Sequence, residues 1–316
     1  MMKKDYEIWT DGLTKVFDKG SNQTIAVDHI NLTIESGIHG FLGPNGAGKT
    51  TTINMLMGAI FLTEGEAYIR GIKAGTKKAN AMIGFLPQDP TFYGNMTVCD
   101  YLMFTGRLYG LKKNYAKNKA LELIDYFNLS EEKNKPISKY SGGMKQKVGL
   151  ASTLIHNPKL LILDEPTTNL DPLGRNNFIK YIKKLAEDIS IFVSSHILSE
   201  IEQMCSKVTI INHGKIISTN TISNIKKLEL GLPNLFILDT NSNLTIVEQL
   251  ATNKTVSKAW INTEDNKIYI ISNDDESLQK IVLNIINKNN SLLKSFYQPE
   301  ASLQDIFIKL VDKKGE

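Results

Sequence analysis

Residues 43–52 read Gly-Pro-Asn-Gly-Ala-Gly-Lys-Thr-Thr-Thr and fit the pattern G-x-x-x-x-G-K-[ST]. The apolar run Ile38–Leu42 precedes this stretch and predicts a short strand, and residues 51–57 predict the start of a helix. A strand, a glycine-rich loop and a helix in this order are the context that the pattern requires. The sequence therefore predicts a loop that binds polyphosphate.

Each residue type in this loop suits that task. Glycines let successive backbone N–H groups turn toward an anion, and the helix N-terminus adds a favourable dipole. We expect Lys49 to place a positive charge on the phosphates and the Thr50 hydroxyl to ligate Mg²⁺. The residues expected to contact the nucleotide are Gly43, Pro44, Asn45, Gly46, Ala47, Gly48, Lys49, Thr50 and Thr51.

With 22% charged and 41% hydrophobic residues, the composition is that of an ordinary globular protein. A length of 316 residues predicts one large and one small domain. A net charge of +4 is too small to indicate a nucleic-acid partner. Cys99 and Cys205 lie far apart without metal-ligand spacing, which favours free thiols in a reducing compartment.

No apolar run reaches the ~18 residues that a membrane helix needs. The first residues, Met-Met-Lys-Lys-Asp-Tyr, lack the apolar centre of a signal peptide. We therefore expect a cytoplasmic protein that is peripheral on the inner face of the cell membrane and contacts it only through a partner.

Hydrophobic patterning predicts an α/β fold with a largely parallel sheet. Residues 6–36 alternate as strands do, and residues 83–88, 160–163 and 191–193 are apolar runs typical of buried strands. Helical patterns separate them at 97–134, 144–156 and 175–188. Strands that alternate with helices are typical of this fold class.

Composition changes after Leu228, and Gly231–Asn234 predicts a domain boundary. The remainder predicts strand, helix, two strands, helix, strand and a final helix at 303–311. That order is typical of a split βαβ unit. We therefore predict a nucleotide-binding domain at 1–230, with a helical subdomain at about 89–157, and a small α+β domain at 231–316.

Two carboxylates follow the buried strand at 160–163. Asp164 at the strand tip is expected beside the phosphate loop, where it can hold Mg²⁺. Glu165, one residue later, is suited to polarise an attacking water. Next to a phosphate loop, this pattern favours a catalytic pair over ordinary polar loop residues.

Two other strand ends carry candidate residues. Gln88 could reach Mg²⁺ and the water, and His196 could contact the γ-phosphate and hold the water. Taken alone, a surface glutamine and a satisfied loop histidine are the alternatives. Their position at strand ends favours the functional interpretation.

A second glycine-rich helix start occurs at Ser141-Gly142-Gly143. It lacks the lysine of a phosphate loop, but the serine hydroxyl, bare amides and helix dipole can bind an anion. A plain serine-capped helix is the alternative. Two such helix starts in one chain suggest that two chains face each other, each offering its second site to the nucleotide of the other. The segment Asn169-Leu170-Asp171, which follows the two carboxylates, could link one site to the partner chain.

Taken together, residues 6–228 resemble the ATPases of ABC transporters. This resemblance assigns Walker A to 43–50, the Q-loop to Gln88, the signature to 140–144, Walker B to 160–164, the catalytic glutamate to Glu165, the D-loop to 169–171 and the switch histidine to His196. It implies a P-loop fold of ABC ATPase type with a helical signature subdomain, together with ATP and Mg²⁺.

The resemblance also gives Phe17 a role, since it matches the aromatic residue of this family that stacks on adenine. A core position for Phe17 is the alternative. The signature reads Tyr-Ser-Gly-Gly-Met where Leu-Ser-Gly-Gly-Gln is common, and the D-loop region reads Thr-Thr-Asn-Leu-Asp. The anion-binding Ser141, Gly142 and Gly143 are kept, so activity is expected to survive.

The resemblance implies a dimer of ATPase subunits, homo- or heterodimeric, bound to a separate membrane-spanning subunit. Residues 299–310 are similar to the ending of ATPases from drug, antibiotic and lipid exporters, which favours export. Phe92 and Tyr93 could contact the membrane subunit or pack locally. A soluble ABC ATPase of DNA repair or translation usually has a coiled-coil insertion or a second ATPase copy, and neither is present. A P-loop kinase has no reason to carry the signature helix.

Overall fold

The computed structural model describes residues 6–19, 22–229, 235–263, 265–272 and 274–298. Its internal contacts divide the chain into two compact units, residues 1–222 and 223–316. The boundary expected at 231–234 lies outside the described residues.

Unit 1 combines strands and helices in an alternating order. Its strands are β1 (Ile8–Lys19), β2 (Asn22–Ile30), β3 (Thr33–Ile34), β4 (Ile38–Leu42), β5 (Glu64–Ile69), β6 (Ile72–Lys73), β7 (Ile83–Leu86), β8 (Leu160–Asp164), β9 (Ser190–Ser195), β10 (Lys207–Asn212) and β11 (Lys215–Thr221). Its helices are α1 (Lys49–Met57), α2 (Lys77–Asn80), α3 (Val98–Leu108), α4 (Lys113–Tyr126), α5 (Gly142–Leu154), α6 (Pro172–Leu185) and α7 (Leu198–Met204).

The central sheet has six strands in the order β11-β10-β4-β9-β8-β7. All neighbours pair in parallel except β10 and β11, which form an antiparallel edge. Every residue of β8 is buried, which explains its continuous apolar sequence. Because β4, β7, β8 and β9 are parallel, their carboxyl ends meet at one edge of the sheet.

A second, antiparallel sheet is formed by β2-β1-β5-β6, with β3 also paired to β1. Its buried residues share one core with the central sheet and α1. This core includes Leu13 from β1, Phe41 from β4, Leu56 from α1 and Phe192 from β9. The phosphate loop is therefore anchored between two packed sheets.

The helical part of unit 1 differs from the sequence-based prediction. One helix was expected at 97–134, but the structure has α3 and α4, separated by a turn. Gly110, with φ 82°, follows α3 and adopts a left-handed conformation that ends the helix. Helix α5 begins at Gly142, directly after its cap Ser141, and α6 begins at Pro172 instead of Arg175.

In unit 2, α8 (Ile222–Glu229) is followed by β12 (Leu235–Thr240), α9 (Asn243–Ala251), β13 (Val256–Ile261), β14 (Ile268–Ser272), α10 (Asp275–Lys288) and β15 (Leu293–Tyr297). The strands form an antiparallel sheet in the order β13-β14-β12-β15. This is the expected split βαβ arrangement. The helix expected at 303–311 lies outside the described residues.

Within the described part of the chain, no helix is long and apolar enough to cross a membrane.

Candidate functional site

The phosphate loop joins β4 to α1 and depends on glycine at several positions. Gly46 and Gly48 have φ values of 80° and 105°, which side-chain-bearing residues rarely adopt. A Cβ on Gly43 would lie 2.4 Å from the carbonyl oxygen of Ile211, and one on Gly48 would lie 2.5 Å from that of Ala26. The loop is thus held tightly against neighbouring backbone.

The loop opens onto a cavity of about 290 Å³. The lining residues are Ala26, Asn45, Gly46, Gly48, Lys49, Thr50, Thr51, Gln88 and Glu165. Eight of these positions are candidates from the sequence, and they come from the ends of β4, β7 and β8. Ala26 on β2 was not predicted, because a single alanine in an alternating strand gives no functional signal.

Lys49 is buried in this cavity and its ammonium group has three oxygen neighbours. It donates to the carbonyl oxygens of Gly43, at 2.8 Å, and Pro44, at 3.1 Å. Its Nζ atom also lies 3.0 Å from Oε1 of Glu165. The lysine charge is therefore positioned between the phosphate loop and the tip of β8.

Ser194 connects the tips of β8 and β9. Its hydroxyl donates to Oδ1 of Asp164 at 2.6 Å and accepts a hydrogen bond from the backbone N–H of Glu165 at 2.9 Å. Ser194 is fully buried. It was not predicted, although the Ser-Ser-His sequence after an apolar strand is a signal that could have identified it.

Glu165 has a backbone conformation that is unusual for its residue type. Its φ of 44° lies in the left-handed region, which costs about 1–3 kcal/mol for a non-glycine residue. Such strain is concentrated at functional sites, where the surrounding structure holds it in place. Here, the hydrogen bond from its N–H to Ser194 stabilises the turn.

The Glu165 carboxylate lies within reach of three donors. Oε2 is 2.9 Å from Nδ1 of His196 and accepts from the Thr168 hydroxyl at 3.2 Å, while Oε1 faces Lys49. Burial alone would raise the pKa of Glu165, but the hydrogen bond and charge of Lys49, together with His196, lower it below its ordinary value. Glu165 is therefore anionic at neutral pH.

The candidate magnesium ligands all offer oxygen. Thr50 and Gln88 line the cavity, and Thr50 lies close enough to Asp164 to lower the pKa of that carboxyl. Burial raises the pKa of Asp164 above its ordinary value, while Ser194 and Thr50 oppose this effect. A hydroxyl, an amide oxygen and a carboxylate are the donor types that Mg²⁺ prefers, so these residues fit that ion.

The signature residues lie away from this cavity. Ser141 caps α5 by accepting from the N–H of Met144 at 3.3 Å, and both Ser141 and Gly142 are exposed. Asp171 is also exposed and caps α6 by accepting from the N–H of Gly174 at 2.9 Å. Within one chain, the structure does not bring these residues to the Lys49 cavity.

Phe17 lies on β1 with 38% of its surface exposed, so it is not a core residue. The Nζ atom of Lys15 lies 4.9 Å from the centre of its ring. The exposed ring is free to stack on a flat ligand.

Several described residues behind the cavity were missing from the sequence-based prediction. Thr167, Ser195 and Glu200 are buried, and the hydroxyls of Thr167 and Ser195 both donate to the Glu200 carboxylate. Asn169, which belongs to the D-loop expected at 169–171, donates to Asp89 at 2.7 Å and so connects the loop after β8 to the segment after Gln88. Thr167, Ser195 and Glu200 do not belong to a glycine-rich loop or to the carboxylate pair after β8, so the sequence alone gave little reason to select them.

The sequence is similar to those of known ATP-binding proteins. Residues 27–168 match the protein family described as ABC transporter. The chain is similar to the bacitracin transport ATP-binding protein BcrA of Bacillus licheniformis, with 37% identity over 96% of this chain and 97% of that protein. It is also 37% identical to the linearmycin resistance ATP-binding protein LnrL of Bacillus subtilis, over 64% of this chain and 67% of that protein.

Solved structures share the fold of about two thirds of this chain. The structure of cbiO1 from Clostridium perfringens, described as part of the ABC transporter complex cbiONQ, is 26% identical, with a TM-score of 0.62 over 72% of this chain and 96% of that one. A dimeric ATP-binding cassette in a post-hydrolysis state with ADP and Pi is 24% identical, with a TM-score of 0.63 over 68% of this chain and 98% of that one.

Proposed function

This chain belongs to the ABC transporter ATP-binding proteins and is an ATPase that powers transport, and we propose that it drives export through a separate membrane-spanning subunit. The main support for the assignment of the catalytic site is a pair of successive contacts, from Lys49 to Glu165 and from Glu165 to His196. The two contacts measure 3.0 Å and 2.9 Å, and Lys49 and Glu165 line the cavity of the phosphate loop.

We propose the following roles for the residues of this cavity. The backbone N–H groups of residues 45–51 and the ammonium group of Lys49 bind the phosphates of ATP. Anionic Glu165 accepts a hydrogen bond from the attacking water and orients it for in-line attack on the γ-phosphate. His196, held by Glu165, contacts the γ-phosphate. The adenine ring stacks on Phe17.

The same proposal includes a magnesium site. Thr50, Asp164 and Gln88 are its candidate ligands, since all three offer oxygen atoms close to the phosphate loop. When bound, Mg²⁺ neutralises charge on the phosphate oxygens. The protein contributes the orientation of these ligands, because Ser194 fixes the Asp164 carboxylate at 2.6 Å.

A second chain completes the site in this proposal. Ser141, Gly142 and Gly143 are exposed or half-exposed at the start of a 13-residue helix, which is a suitable place for an anion. They do not line the cavity of their own chain. We infer that they close over the γ-phosphate bound by a partner ATPase subunit, and that Asp171 lies near the same interface.

The segment after Gln88 is the proposed contact with the membrane-spanning subunit. Tyr93 is 59% exposed, while Phe92 is half-buried against Tyr101 with ring centres 5.2 Å apart. Exposed aromatic residues are common at protein interfaces. Because Asn169 donates to Asp89, this segment is also connected to the loop after Glu165.

For the cargo, we propose an antibiotic. The names of BcrA and LnrL assign bacitracin transport and linearmycin resistance to those relatives. The test is to express this chain with the membrane protein encoded beside it in a sensitive bacterium and to measure growth with each compound. Protection that Lys49→Ala removes supports the proposal. Unchanged sensitivity to both compounds, with the complex assembled and hydrolysing ATP, contradicts it.

Isolation of the native complex distinguishes a transporter subunit from the alternative, an ABC ATPase that works without a membrane partner. We expect this chain to be recovered from membranes together with a multi-span protein. We also expect the purified complex to release phosphate from ATP. Recovery with ribosomes or DNA instead would favour an ABC ATPase of translation or DNA repair.

A further inference from the structure

Glu200 is a buried carboxylate that the proposed mechanism does not use. It lies in α7, four residues after His196, and only 4% of its surface is exposed. Burying a charge is unfavourable unless neighbouring groups compensate. It does not line the phosphate cavity, so binding of ATP gives no direct reason for its position.

One oxygen of this carboxylate joins two segments that carry candidate catalytic residues. Oε2 accepts a hydrogen bond from the Thr167 hydroxyl at 2.6 Å and another from the Ser195 hydroxyl at 3.2 Å. Thr167 lies two residues after Glu165, and Ser195 directly precedes His196. Both side chains are buried, at 1% and 2% exposure.

The second oxygen faces α6. Oε1 has no hydrogen-bond partner among the described residues, and the nearest cation is Nε of Arg175 at 3.9 Å. That Nε donates instead to the carbonyl oxygen of Leu170 at 2.9 Å. Arg175 lies in the first turn of the helix that Asp171 caps. At 3.9 Å, Arg175 and Glu200 form an ion pair but no hydrogen bond.

We propose that Glu200 is a positioning residue for ATP hydrolysis, which holds the loop at 165–171 and the strand end at 195–196 in one fixed arrangement. The inference rests on the proposed function, because it concerns the placement of Glu165 and His196. Those two side chains are 2.9 Å apart. A displacement of about 1 Å at such a site can reduce a rate about 100-fold.

The test uses the full chain with Glu200→Ala and Glu200→Gln. We expect Glu200→Ala to lower kcat roughly 10–100-fold, as losses of groups that orient catalytic ligands do, with the Kd for ATP within about twofold of wild type. Glutamine keeps an oxygen that can accept from Thr167 and Ser195, so Glu200→Gln should retain more activity than alanine. Glu187→Gln, at an exposed site beyond α6, is the matched control.

Thr167→Val gives an independent test if Glu200→Ala does not fold. It keeps the shape of the side chain and removes only the hydroxyl that donates to Glu200. Thr167→Val should lower kcat without weakening ATP binding. Where Glu200→Ala folds, adding Thr167→Val to it should lower kcat little further, because the two groups act as a unit.

Two results would overturn the inference. One is a folded Glu200→Ala variant, or a folded Thr167→Val variant, whose kcat matches that of wild type. The other is a parallel loss of kcat and ATP affinity, which indicates general disruption. If wild-type protein binds ATP and does not hydrolyse it, the proposed function fails, and that result is distinct from both.

Discussion

The Nζ atom of Lys49 lies 3.0 Å from Oε1 of Glu165, and both side chains are buried. The residue expected to bind phosphate and the residue expected to polarise water are thus in direct contact. Each charge compensates the burial of the other. This pair is the basis of the first two predictions.

Glu165→Gln is expected to lower ATP hydrolysis by about 100-fold or more, because a general base typically contributes 10²–10⁴-fold to a rate. Phosphate-loop contacts remain, so ATP should still bind and a stable ATP-bound dimer should accumulate. Phosphate release and gel filtration with ATP measure both effects. Lys49→Ala is the control, since it should lose hydrolysis without accumulating the dimer. Wild-type turnover by Glu165→Gln would show that Glu165 is not the base.

The buried pair should also be visible in stability. Lys49→Met removes the lysine partner of the buried Glu165 carboxylate, and breaking such a pair costs about 3–5 kcal/mol. Lys49→Met combined with Glu165→Gln removes both charges and should recover part of this loss. Urea unfolding of the wild type, the two single variants and the double variant measures the coupling, expected at about 0.5–3 kcal/mol. Additive effects would contradict the pairing.

The sequence predicted that Lys49, Glu165 and His196 belong to one site, for a simple physical reason. Walker A follows β4, Glu165 follows β8 and His196 follows β9, and the carboxyl ends of parallel strands meet at one edge of the sheet. The break between α3 and α4 was missed because apolar positions continue through both helices, although Gly110 was a usable signal. Glu200 could not be predicted, since its role depends on Thr167 and Ser195, which only the fold brings to it.

Phe17→Ala is expected to weaken ATP binding by about tenfold, since stacking of a base on an aromatic ring contributes about 1–3 kcal/mol. Phe17→Trp should bind ATP nearly as well as wild type because it keeps a flat ring. Phe61→Ala is the matched control, as Phe61 is 89% exposed and does not line the cavity. Titration with a fluorescent ATP analogue measures the Kd values of the three variants and of the wild type. Equal affinity of Phe17→Ala and wild type would exclude stacking.

Because His39 on β4 is buried, we expect the stability of unit 1 to decrease in acid. Burial lowers its pKa from the ordinary 6.5 to about 4, and its Nε2 and the Thr209 hydroxyl are hydrogen-bonded at 2.9 Å. Between pH 6.5 and 4, the unfolded chain therefore binds a proton that the folded chain does not. The free energy of unfolding should fall as pH decreases through this window, by about 3 kcal/mol at its lower end, and should be insensitive to His39 above it.

Carboxylates titrate in the lower part of the same window, so the His39 effect must be measured as a difference. His39→Gln keeps a side chain that can hydrogen-bond Thr209 and has no proton to gain. Urea unfolding of both proteins at several pH values should show a shallower pH dependence for the variant. Parallel curves would mean that His39 does not contribute.

The exposed signature predicts that activity depends on two chains. Lys49→Ala damages the phosphate loop, and Gly142→Asp places a carboxylate where we propose that the phosphate of the partner subunit lies. Each variant alone should be inactive. In a mixed dimer, however, one composite site has the intact Lys49 of the second variant and the intact Gly142 of the first. Mixing the two variants should therefore restore part of the ATPase activity, whereas a site completed within one chain would give none.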